Sequence, residues 1–261
     1  MKKKKFVLAV NNRNGLNALK VIKSNPKYEI SFLFLHKPEK AMYMNEIIKD
    51  SELSQDKIFF WDRNKLSEYC EKIAIENVDV LLSVNFGYII PPSVLDVFPV
   101  ALNLHTGYLP WNKGYHPNVW PFIDDSPAGV TLHIMTSELD AGPIVYRKKV
   151  EVTPLDNAKT LYEKLEKESI KVLEYALPKY FSGELRPFFP NEKGSFHTHK
   201  DFLKLFEIKL DRSYTGREII NLLRALTFPP YKNAYYIDNN WKVYIEVSLS
   251  GEKIDESDLS D

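Results

Sequence analysis

Residues 6–22 read FVLAVNNRNGLNALKVI and contain the first repeat of the pattern that decides the fold. Phe6–Val10 has the length and composition of a buried strand, and Leu16–Ile22 carries apolar residues at helical spacing. The pattern then repeats with strand-like runs at Ile30–Leu35 and Val78–Val84 and a helix-like stretch at Lys65–Ile75. Strands that alternate with amphipathic helices predict an α/β domain with a mostly parallel sheet.

The loop Asn11–Gly15 connects the first predicted strand to the first predicted helix. Backbone N–H groups at the start of a helix attract anions, so this loop is a candidate phosphate site. It lacks the GxGxxG spacing of dinucleotide-binding loops, which argues against a dinucleotide site here.

The second half of the chain predicts the end of this domain and a smaller unit behind it. Asn157–Leu177 has apolar positions at helical spacing and precedes Pro178, so we expect a long helix that ends there. Pro187, Pro190 and Gly194 then indicate a linker. We therefore expect a domain at residues 1–183 and a small C-terminal α+β region at residues 184–261.

The C-terminal region has a pattern of its own. Thr215–Ala225 is helix-like, and the alternating runs Asn233–Ile237 and Trp241–Val247 flank the turn residues Asp238–Asn240. Two such runs around a polar turn predict a β-hairpin. The acidic tail from Glu252 has the composition of a disordered segment.

Overall charge excludes a general attraction to polyanions. Lys plus Arg and Asp plus Glu both number 35, so the net charge is zero and neither nucleic acid nor an anionic membrane is an expected partner. The basic run Lys2–Lys5 precedes only the short apolar run Phe6–Val10, which is too short for a signal peptide or a membrane span. We therefore expect a cytoplasmic protein.

The cysteine and histidine residues do not indicate a metal site. Cys70 is the one cysteine, and its helical spacing with apolar neighbours predicts a packed core thiol. The histidines lack a pattern of cysteine or carboxylate partners, so we predict no metal and interpret four of them as ordinary strand or surface residues: His116, His133, His197 and His199.

The string Asn103-Leu-His-Thr-Gly-Tyr-Leu-Pro110, followed 35 residues after His105 by Asp140 in Glu138-Leu-Asp-Ala-Gly-Pro143, is the strongest chemical signal. Asn103 and His105 are two residues apart, so their side chains share one face of an extended segment. Acyl transfer to an amine needs an oxyanion donor, a group that handles the amine proton and a group that orients it. Asn103, His105 and Asp140 fill these roles in that order. The alternative is that Asn103 caps a turn and that His105 and Asp140 are ordinary loop residues.

These two strings resemble the paired signature of the folate-dependent formyltransferases, which include glycinamide ribonucleotide transformylase, methionyl-tRNA formyltransferase and the sugar N-formyltransferases. The resemblance implies a Rossmann-like formyltransferase domain, 10-formyltetrahydrofolate as co-substrate, and a catalytic triad of Asn103, His105 and Asp140. Val84–Ile90 is similar to the folate loop of that family, which implies folate contacts that also include Asp140: Tyr88, Ile89 and Ile90.

Two further stretches, Leu109–Trp120 and Leu222–Tyr235, look most like the sugar N-formyltransferases. This resemblance implies a nucleotide-linked amino sugar as acceptor and a homodimer. Phe228 or Tyr231 is suited to stacking on a nucleobase, and Lys232 or Arg224 to binding phosphate. Three more residues are candidates for the diphosphate or sugar: Arg13, Asn14 and Lys113.

The expected reaction is therefore formylation of an amine, with dTDP-4-amino-4,6-dideoxyglucose, a precursor of bacterial O-antigen polysaccharide, as the favoured acceptor. The alternatives are a dTDP-3-amino sugar, a UDP- or GDP-linked amino sugar, methionyl-tRNA or a purine-pathway amine. From a different class, the chain could be a nucleotide-sugar binding protein without activity. Transfer to tRNA would call for a larger, basic C-terminal domain than this sequence offers. The sequence leaves open the position of the amine, the sugar configuration and the base.

Overall fold

The computed structural model describes residues 2–254, which leaves most of the predicted acidic tail outside the described residues. Seven strands form the central sheet, and the first five along the chain run parallel. In spatial order these strands are β3 (Ile58–Phe60), β2 (Tyr28–Leu35), β1 (Lys4–Val10), β4 (Val80–Val84), β5 (Val100–His105), β7 (Gly129–Ile134) and β8 (Ile144–Lys149). Strands β7 and β8 pair antiparallel, so the predicted mostly parallel α/β sheet is confirmed.

Helices cover both faces of the sheet. They are α1 (Asn12–Ser24), α2 (Met44–Ser51), α3 (Leu66–Ile75), α4 (Pro92–Leu95), α5 (Trp120–Ile123), α6 (Ala158–Phe181), α7 (His199–Lys204) and α8 (Gly216–Leu226). Along β1, Phe6, Leu8 and Val10 face α1 and α6, whereas Val7 and Ala9 face α3 and α4. The period of two along a strand buried on both faces explains why its sequence is an unbroken apolar run.

The strand order reverses between β1 and β4, whose carboxyl ends therefore open a crevice at the edge of the sheet. Asn11 follows β1 and donates its backbone N–H to the carbonyl of Val84 at the end of β4 (3.3 Å). Gly15 lets α1 approach the sheet closely, because a Cβ there would lie 2.9 Å from Cβ of Val10. This edge carries the candidate site.

The long helix α6 begins as predicted but does not end at Pro178. Asn157 caps it, with its side chain accepting the N–H groups of Lys159 and Thr160, and the helix continues to Phe181. A proline removes only its own N–H donor, and the last turn still closes because Ser182 donates to the carbonyl of Pro178 (2.9 Å). Burial of the last turn against the sheet compensates for the lost bond.

The segment after Gly183, which was predicted to be a linker, packs back on the sheet domain. Phe188 forms a bridge with Ile144 at the edge of β8. The two-residue strand β9 (Phe196–His197) pairs in parallel with β6 (Lys113–Gly114). Exposed edge strands are normally covered in this way. We therefore propose that the C-terminal unit begins near His199.

The C-terminal unit contains α7, α8 and two small antiparallel pairs. These are β10 (Thr227–Phe228) with β11 (Tyr231–Lys232), and β12 (Tyr235–Asp238) with β13 (Trp241–Tyr244). The second pair confirms the predicted hairpin, although each strand is shorter than its alternating run. The predicted helix starts after its cap, Thr215.

Two composition-based expectations fall on the described residues. Cys70 is half-buried beside the apolar cluster under α3, and burial raises the pKa of its thiol. None of the helices in residues 2–254 combines the length and the apolar character required to cross a bilayer.

Candidate active site

Asn103 and His105 lie at the carboxyl end of β5, and their side chains project from the same face of the sheet as the side chains opposite them on β7. The antiparallel register places His133 of β7 directly opposite Asn103, and Thr131 opposite His105. Directly opposed residues project to the same side of a sheet. The strand pairing therefore gathers an amide, two imidazoles and a hydroxyl on one face.

Asp140 joins this group from the turn between β7 and β8, where its backbone adopts a left-handed conformation (φ 53°). Its Oδ2 accepts the N–H of Gly114 at 2.9 Å, and its Oδ1 lies 3.3 Å from Nδ2 of Asn103. The same carboxylate lies 3.7 Å from Nδ1 of His105 and 3.4 Å from Nε2 of His133. These four contacts offset the cost of the left-handed conformation and fix the position of the carboxylate.

The surroundings keep Asp140 ionised although it is buried. Burial alone raises the pKa of this carboxyl group, but the positive charge of His105, the hydrogen bond and charge of His133 and the Gly114 N–H together lower it below its ordinary value. The result is a permanent negative charge in a site with little access to water, where it acts strongly on its neighbours.

The hydrogen bond of His105 shows which of its two ring nitrogens carries a proton and which one faces Asp140. Nε2 lies 2.9 Å from the backbone carbonyl of Asn112, and a carbonyl can only accept, so Nε2 carries a proton. Nδ1 is therefore the nitrogen that faces Asp140. Asn112 is itself fully buried, and its own N–H donates to Oγ of Ser195 (2.9 Å).

His133, which was interpreted as an ordinary strand or surface residue, lies on β7 and contacts both Asn103 and Asp140. It is almost completely buried, its Nδ1 lies 3.0 Å from the carbonyl of Ile134, and its Nε2 lies 3.2 Å from Nδ2 of Asn103. The sequence signal was a histidine at the end of a predicted strand. Finding its partner required the β5–β7 register, which spans 30 residues of chain.

The three predicted catalytic residues line a slot of about 250 Å³. One wall is the loop Asn85–Ile89 after β4, and the other is formed by Tyr115, Pro117 and Leu139. Two predicted folate contacts, Tyr88 and Ile89, face this slot, whereas the side chain of Ile90 is buried in the core.

A second cavity of about 490 Å³ lies next to the slot and shares one segment with it. Along residues 115–118, Tyr115 and Pro117 line the slot, whereas His116 and Asn118 line the second cavity. Three predicted acceptor contacts line this cavity: Arg13, Phe228 and Tyr231.

Four other predicted acceptor contacts are placed differently. The Asn14 side chain has no exposed surface and donates to Oδ1 of Asn85 (3.0 Å), so it cannot touch a ligand. Arg224 is wrong as a phosphate contact because its guanidinium donates to the carbonyls of Asp156 (2.7 Å) and Thr153 (2.6 Å). Lys113 and Lys232 line neither cavity.

The backbone amides of the predicted anion site in the first loop already donate to a side chain of the same loop. Oδ1 of Asn12 accepts the N–H groups of Asn14 (2.9 Å) and Gly15 (3.4 Å), which are the amides that would bind a phosphate. Of the two predicted contacts in this loop, Arg13 remains exposed at the second cavity, which Asn12 also lines.

Tyr162 connects the two cavities and was not predicted. Its hydroxyl accepts from Nδ2 of Asn12 (3.0 Å) and from Nδ2 of Asn85 (3.4 Å), which belong to the second cavity and to the slot respectively. Burial, with the adjacent Glu166, raises the pKa of this phenol, so it stays protonated. Among the described residues, no three His, Cys, Asp or Glu side chains are arranged to hold a metal ion.

Comparisons with known proteins agree with this geometry. A family model described as formyl transferase matches residues 12–177, and one described as N-formyltransferase dimerization C-terminal domain matches residues 201–251. Methionyl-tRNA formyltransferase from Streptococcus pneumoniae is 28% identical over 241 residues, which cover 90% of this chain and 76% of that protein.

Solved structures are similar over nearly the whole chain. A 4-N formyltransferase from Francisella tularensis superposes with a TM-score of 0.83 at 28% identity, covering 96% of this chain and 99% of that one. The formyltransferase PseJ from Anoxybacillus kamchatkensis, solved with UDP-4,6-dideoxy-4-formamido-L-AltNAc and tetrahydrofolate, gives a TM-score of 0.55 at 28% identity, with coverages of 85% and 98%.

Proposed function

The chain belongs to the formyl transferase family, and we propose that it transfers a formyl group from 10-formyltetrahydrofolate to the amine of a nucleotide-linked amino sugar. The observation that carries this proposal is the pair of adjacent cavities. The slot contains Asn103, His105 and Asp140, and the second cavity, lined by aromatic side chains, shares the segment 115–118 with it. Two substrates that bind in these cavities would meet at the triad.

The slot suits a formylated folate. Tyr88, Ile89 and Leu139 give it apolar walls for a flat ring, and the loop Asn85–Ile89 brings backbone donors and acceptors to its edge. Bound there, 10-formyltetrahydrofolate supplies an activated formyl group whose leaving group is the N10 amine of the folate itself, and the proton that the acceptor amine loses ends on that nitrogen when the C–N10 bond breaks. No covalent attachment to the enzyme is required.

The residues around the slot handle charge and protons. Addition of an amine puts negative charge on the formyl oxygen, and we assign its stabilisation to a protonated His105, which lines the slot with its Nδ1 3.7 Å from Oδ2 of Asp140. Asp140 stabilises that imidazolium and, directly or through a water, takes the proton that the amine loses. Nδ2 of Asn103 donates to Oδ1 of Asp140 at 3.3 Å and lies 3.2 Å from Nε2 of His133, so Asn103 would donate to the formyl oxygen by exchanging its long bond to Asp140.

The second cavity fits an activated sugar better than the end of a tRNA. Phe228 and Tyr231 offer aromatic faces for a nucleobase, and Arg13 and Lys159 offer positive charge for a diphosphate. A tRNA needs a broad basic surface, whereas this chain has no net charge. We therefore favour a nucleotide-linked sugar over methionyl-tRNA, despite the sequence similarity to a methionyl-tRNA enzyme.

Within this class we favour a 4-amino acceptor, dTDP-4-amino-4,6-dideoxyglucose, destined for a bacterial surface polysaccharide such as O-antigen. Similarity to a 4-N formyltransferase over 96% of the chain supports the position of the amine. The match to a dimerization domain at residues 201–251 supports a homodimer. Trp241 and Ile237 on the terminal hairpin are strongly exposed and suit that interface. Action on a cytoplasmic co-substrate makes the cytoplasm the expected location.

The test is a product assay by mass spectrometry. Purified protein and 10-formyltetrahydrofolate are incubated with dTDP-, UDP- and GDP-linked 3- and 4-amino sugars, and with methionyl-tRNA. We expect the mass gain of one formyl group on a dTDP-linked 4-amino sugar. Gain on methionyl-tRNA alone would refute the sugar acceptor, and gain on no acceptor, with folate still bound, would support a non-catalytic nucleotide-sugar binder.

A further inference from the structure

His36 is a buried histidine that the proposed chemistry does not use. It follows β2, and its Nε2 accepts the backbone N–H of Gly87 at 3.0 Å. Its ring lies 5.2 Å from the ring of Phe86 and 4.6 Å from that of Tyr88. His36 therefore contacts three consecutive residues of the loop Asn85–Ile89, which forms one wall of the slot.

The contact with Gly87 fixes the protonation state of His36. A backbone N–H can only donate, so Nε2 must present a lone pair, and the ring is neutral with its proton on Nδ1. On that side of the ring the backbone of Lys40 accepts a hydrogen bond, and Nδ2 of Asn11 lies 3.3 Å from Nδ1 without serving as its acceptor.

The contact between Gly87 and His36 is close. Gly87 lies between two aromatic residues that pack on His36, and a Cβ at this position would lie 3.4 Å from Cε1 of the imidazole. Although Gly87 itself is exposed, its N–H points at the imidazole. A proton on Nε2 would set two donors against each other at this contact, so the bond would be lost.

We propose that neutral His36 is a positioning residue that holds the loop Asn85–Ile89 in the shape that binds the folate, and that protonation of His36 releases the loop. The proposal rests on the proposed function, because it assigns the loop to the co-substrate. His36 touches neither reacting atom. Its effect is therefore on co-substrate binding and not on the chemical step.

The surroundings favour the neutral form at neutral pH. Burial lowers the pKa of His36 below 6.5, the backbone hydrogen bond of Lys40 opposes this, and the charge of Lys40 adds to the lowering. The other groups that face the ring from the loop and from the first strand's end, Phe86, Tyr88 and Asn11, are uncharged near neutrality. A group with a lowered pKa is protonated only as the pH falls below its ordinary value, so the loop is held at pH 7.5 and released in acid.

The experiment compares the wild type with His36→Phe and His36→Gln. Phenylalanine keeps a ring against Phe86 and Tyr88 but accepts no hydrogen bond, whereas glutamine offers a carbonyl oxygen that accepts from Gly87 and does not titrate. Binding of 5-formyltetrahydrofolate, a non-reactive analogue, is measured by calorimetry at pH 7.5 and pH 5.5. Thermal unfolding checks that each variant is folded, and hydrogen exchange of the peptide that contains Gly87 reports the loop without any ligand.

At pH 7.5 we expect His36→Phe to raise Kd about tenfold, the scale of one lost hydrogen bond, and His36→Gln to bind nearly as the wild type. Between pH 7.5 and pH 5.5 the binding of the wild type should weaken severalfold more than that of His36→Gln, which has no titratable group at this position. Exchange at Gly87 should rise in His36→Phe while kcat at saturating folate stays close to that of the wild type.

Equal pH dependence in the wild type and His36→Gln would overturn the proposal, as would unchanged Gly87 exchange in His36→Phe. Failure of the proposed function has a different signature, because the wild type would then not bind 5-formyltetrahydrofolate at pH 7.5. In that case the exchange measurement still decides whether His36 holds the loop. A His36→Phe variant that does not fold leaves the comparison with His36→Gln as the deciding one.

Discussion

Replacing Asp140 by Asn is the sharpest test of the proposed chemistry, because it keeps the shape of the side chain and removes its charge. The carboxylate accepts on both sides, from Gly114 at Oδ2 and from Asn103 at Oδ1. An asparagine has one acceptor and one donor, so one side must become a donor facing a donor. The variant also loses the negative charge beside Nδ1 of His105.

Two magnitudes follow. The unpaired donor costs about 1–3 kcal/mol of unfolding free energy, which lowers Tm by about 3–10 °C in a chain of this size. Loss of the charge and of the proton acceptor removes general acid–base catalysis, typically worth about 10²–10⁴-fold. We expect kcat to fall about 10³-fold, or ~4 kcal/mol of barrier at ~1.4 kcal/mol per tenfold.

The assay is steady-state formyl transfer to the acceptor identified by mass spectrometry, with folate binding measured separately by calorimetry. Asp156→Asn is the matched control, because Asp156 is equally buried and accepts from the N–H of Thr153 (2.6 Å) and Nζ of Lys164 (2.6 Å). It lies in the turn before α6 and has no place in the proposed chemistry. This control should lose stability and keep its kcat.

A folded Asp140→Asn protein that binds folate and retains kcat within about tenfold of the wild type would refute the reasoning, because that loss is below the ~10²-fold minimum expected of a catalytic proton acceptor. An equal loss of kcat in Asp156→Asn would also refute it. The effect would then belong to any buried carboxylate and not to the one beside His105.

The remaining predictions concern the two cavities, the segment after α6 and the pH dependence of stability. Asn103→Ala should lower kcat about 10²–10³-fold with folate affinity kept, which rapid-quench transfer assays would show. Phe228→Ala should raise the KM of the acceptor about tenfold and leave that of the folate unchanged in steady-state kinetics. Gly194→Ala should lower kcat, because its φ of 67° is unfavourable for alanine and its Cβ would lie 2.0 Å from the carbonyl oxygen of Pro110; Gly183→Ala, with φ 82° and open space, should lower only Tm. Because the pKa of Asp140 is lowered on folding, its contribution to stability is present above pH 3.8 and lost as the pH falls below it, so acid unfolding curves of wild type and Asp140→Asn should converge at low pH.

Most of the sheet was predictable because its information is local. Strands β1, β2 and β4 are mostly apolar. Short apolar runs between amphipathic helices are typical of buried parallel strands. The end of α6 was not predictable, because the propensity of Pro178 to end a helix is local whereas the packing of the last turn is tertiary. The aromatic ring of Phe181 packs 6.1 Å from those of Phe6 and Tyr28, residues at the other end of the chain.

The same distinction between local sequence information and tertiary contacts applies to the site. Asn103 and His105 were found from their spacing on one strand, and Asp140 from the resemblance to a known family. His133, Tyr162 and His36 were missed because each acquires its role from a partner on another element, namely Asn103, Asn85 and Gly87. No spacing rule along one chain reports such pairs, since they depend on strand order and register.

The segment after Gly183 is the clearest case, because composition marks it as a linker and the structure makes it part of the site. Ser195 accepts the N–H of Asn112, whose carbonyl fixes the Nε2 proton of His105. The adjoining strand β9 pairs with β6, whose Gly114 holds Asp140 through its N–H. Both titratable members of the triad are thus oriented through residues that touch one short segment near position 195. The proline and glycine residues of this segment predicted a linker. Gly194, however, allows the backbone to approach Pro110 closely, and the next residues pair with β6. We therefore propose that the formyltransferase domain extends beyond the predicted boundary at residue 183.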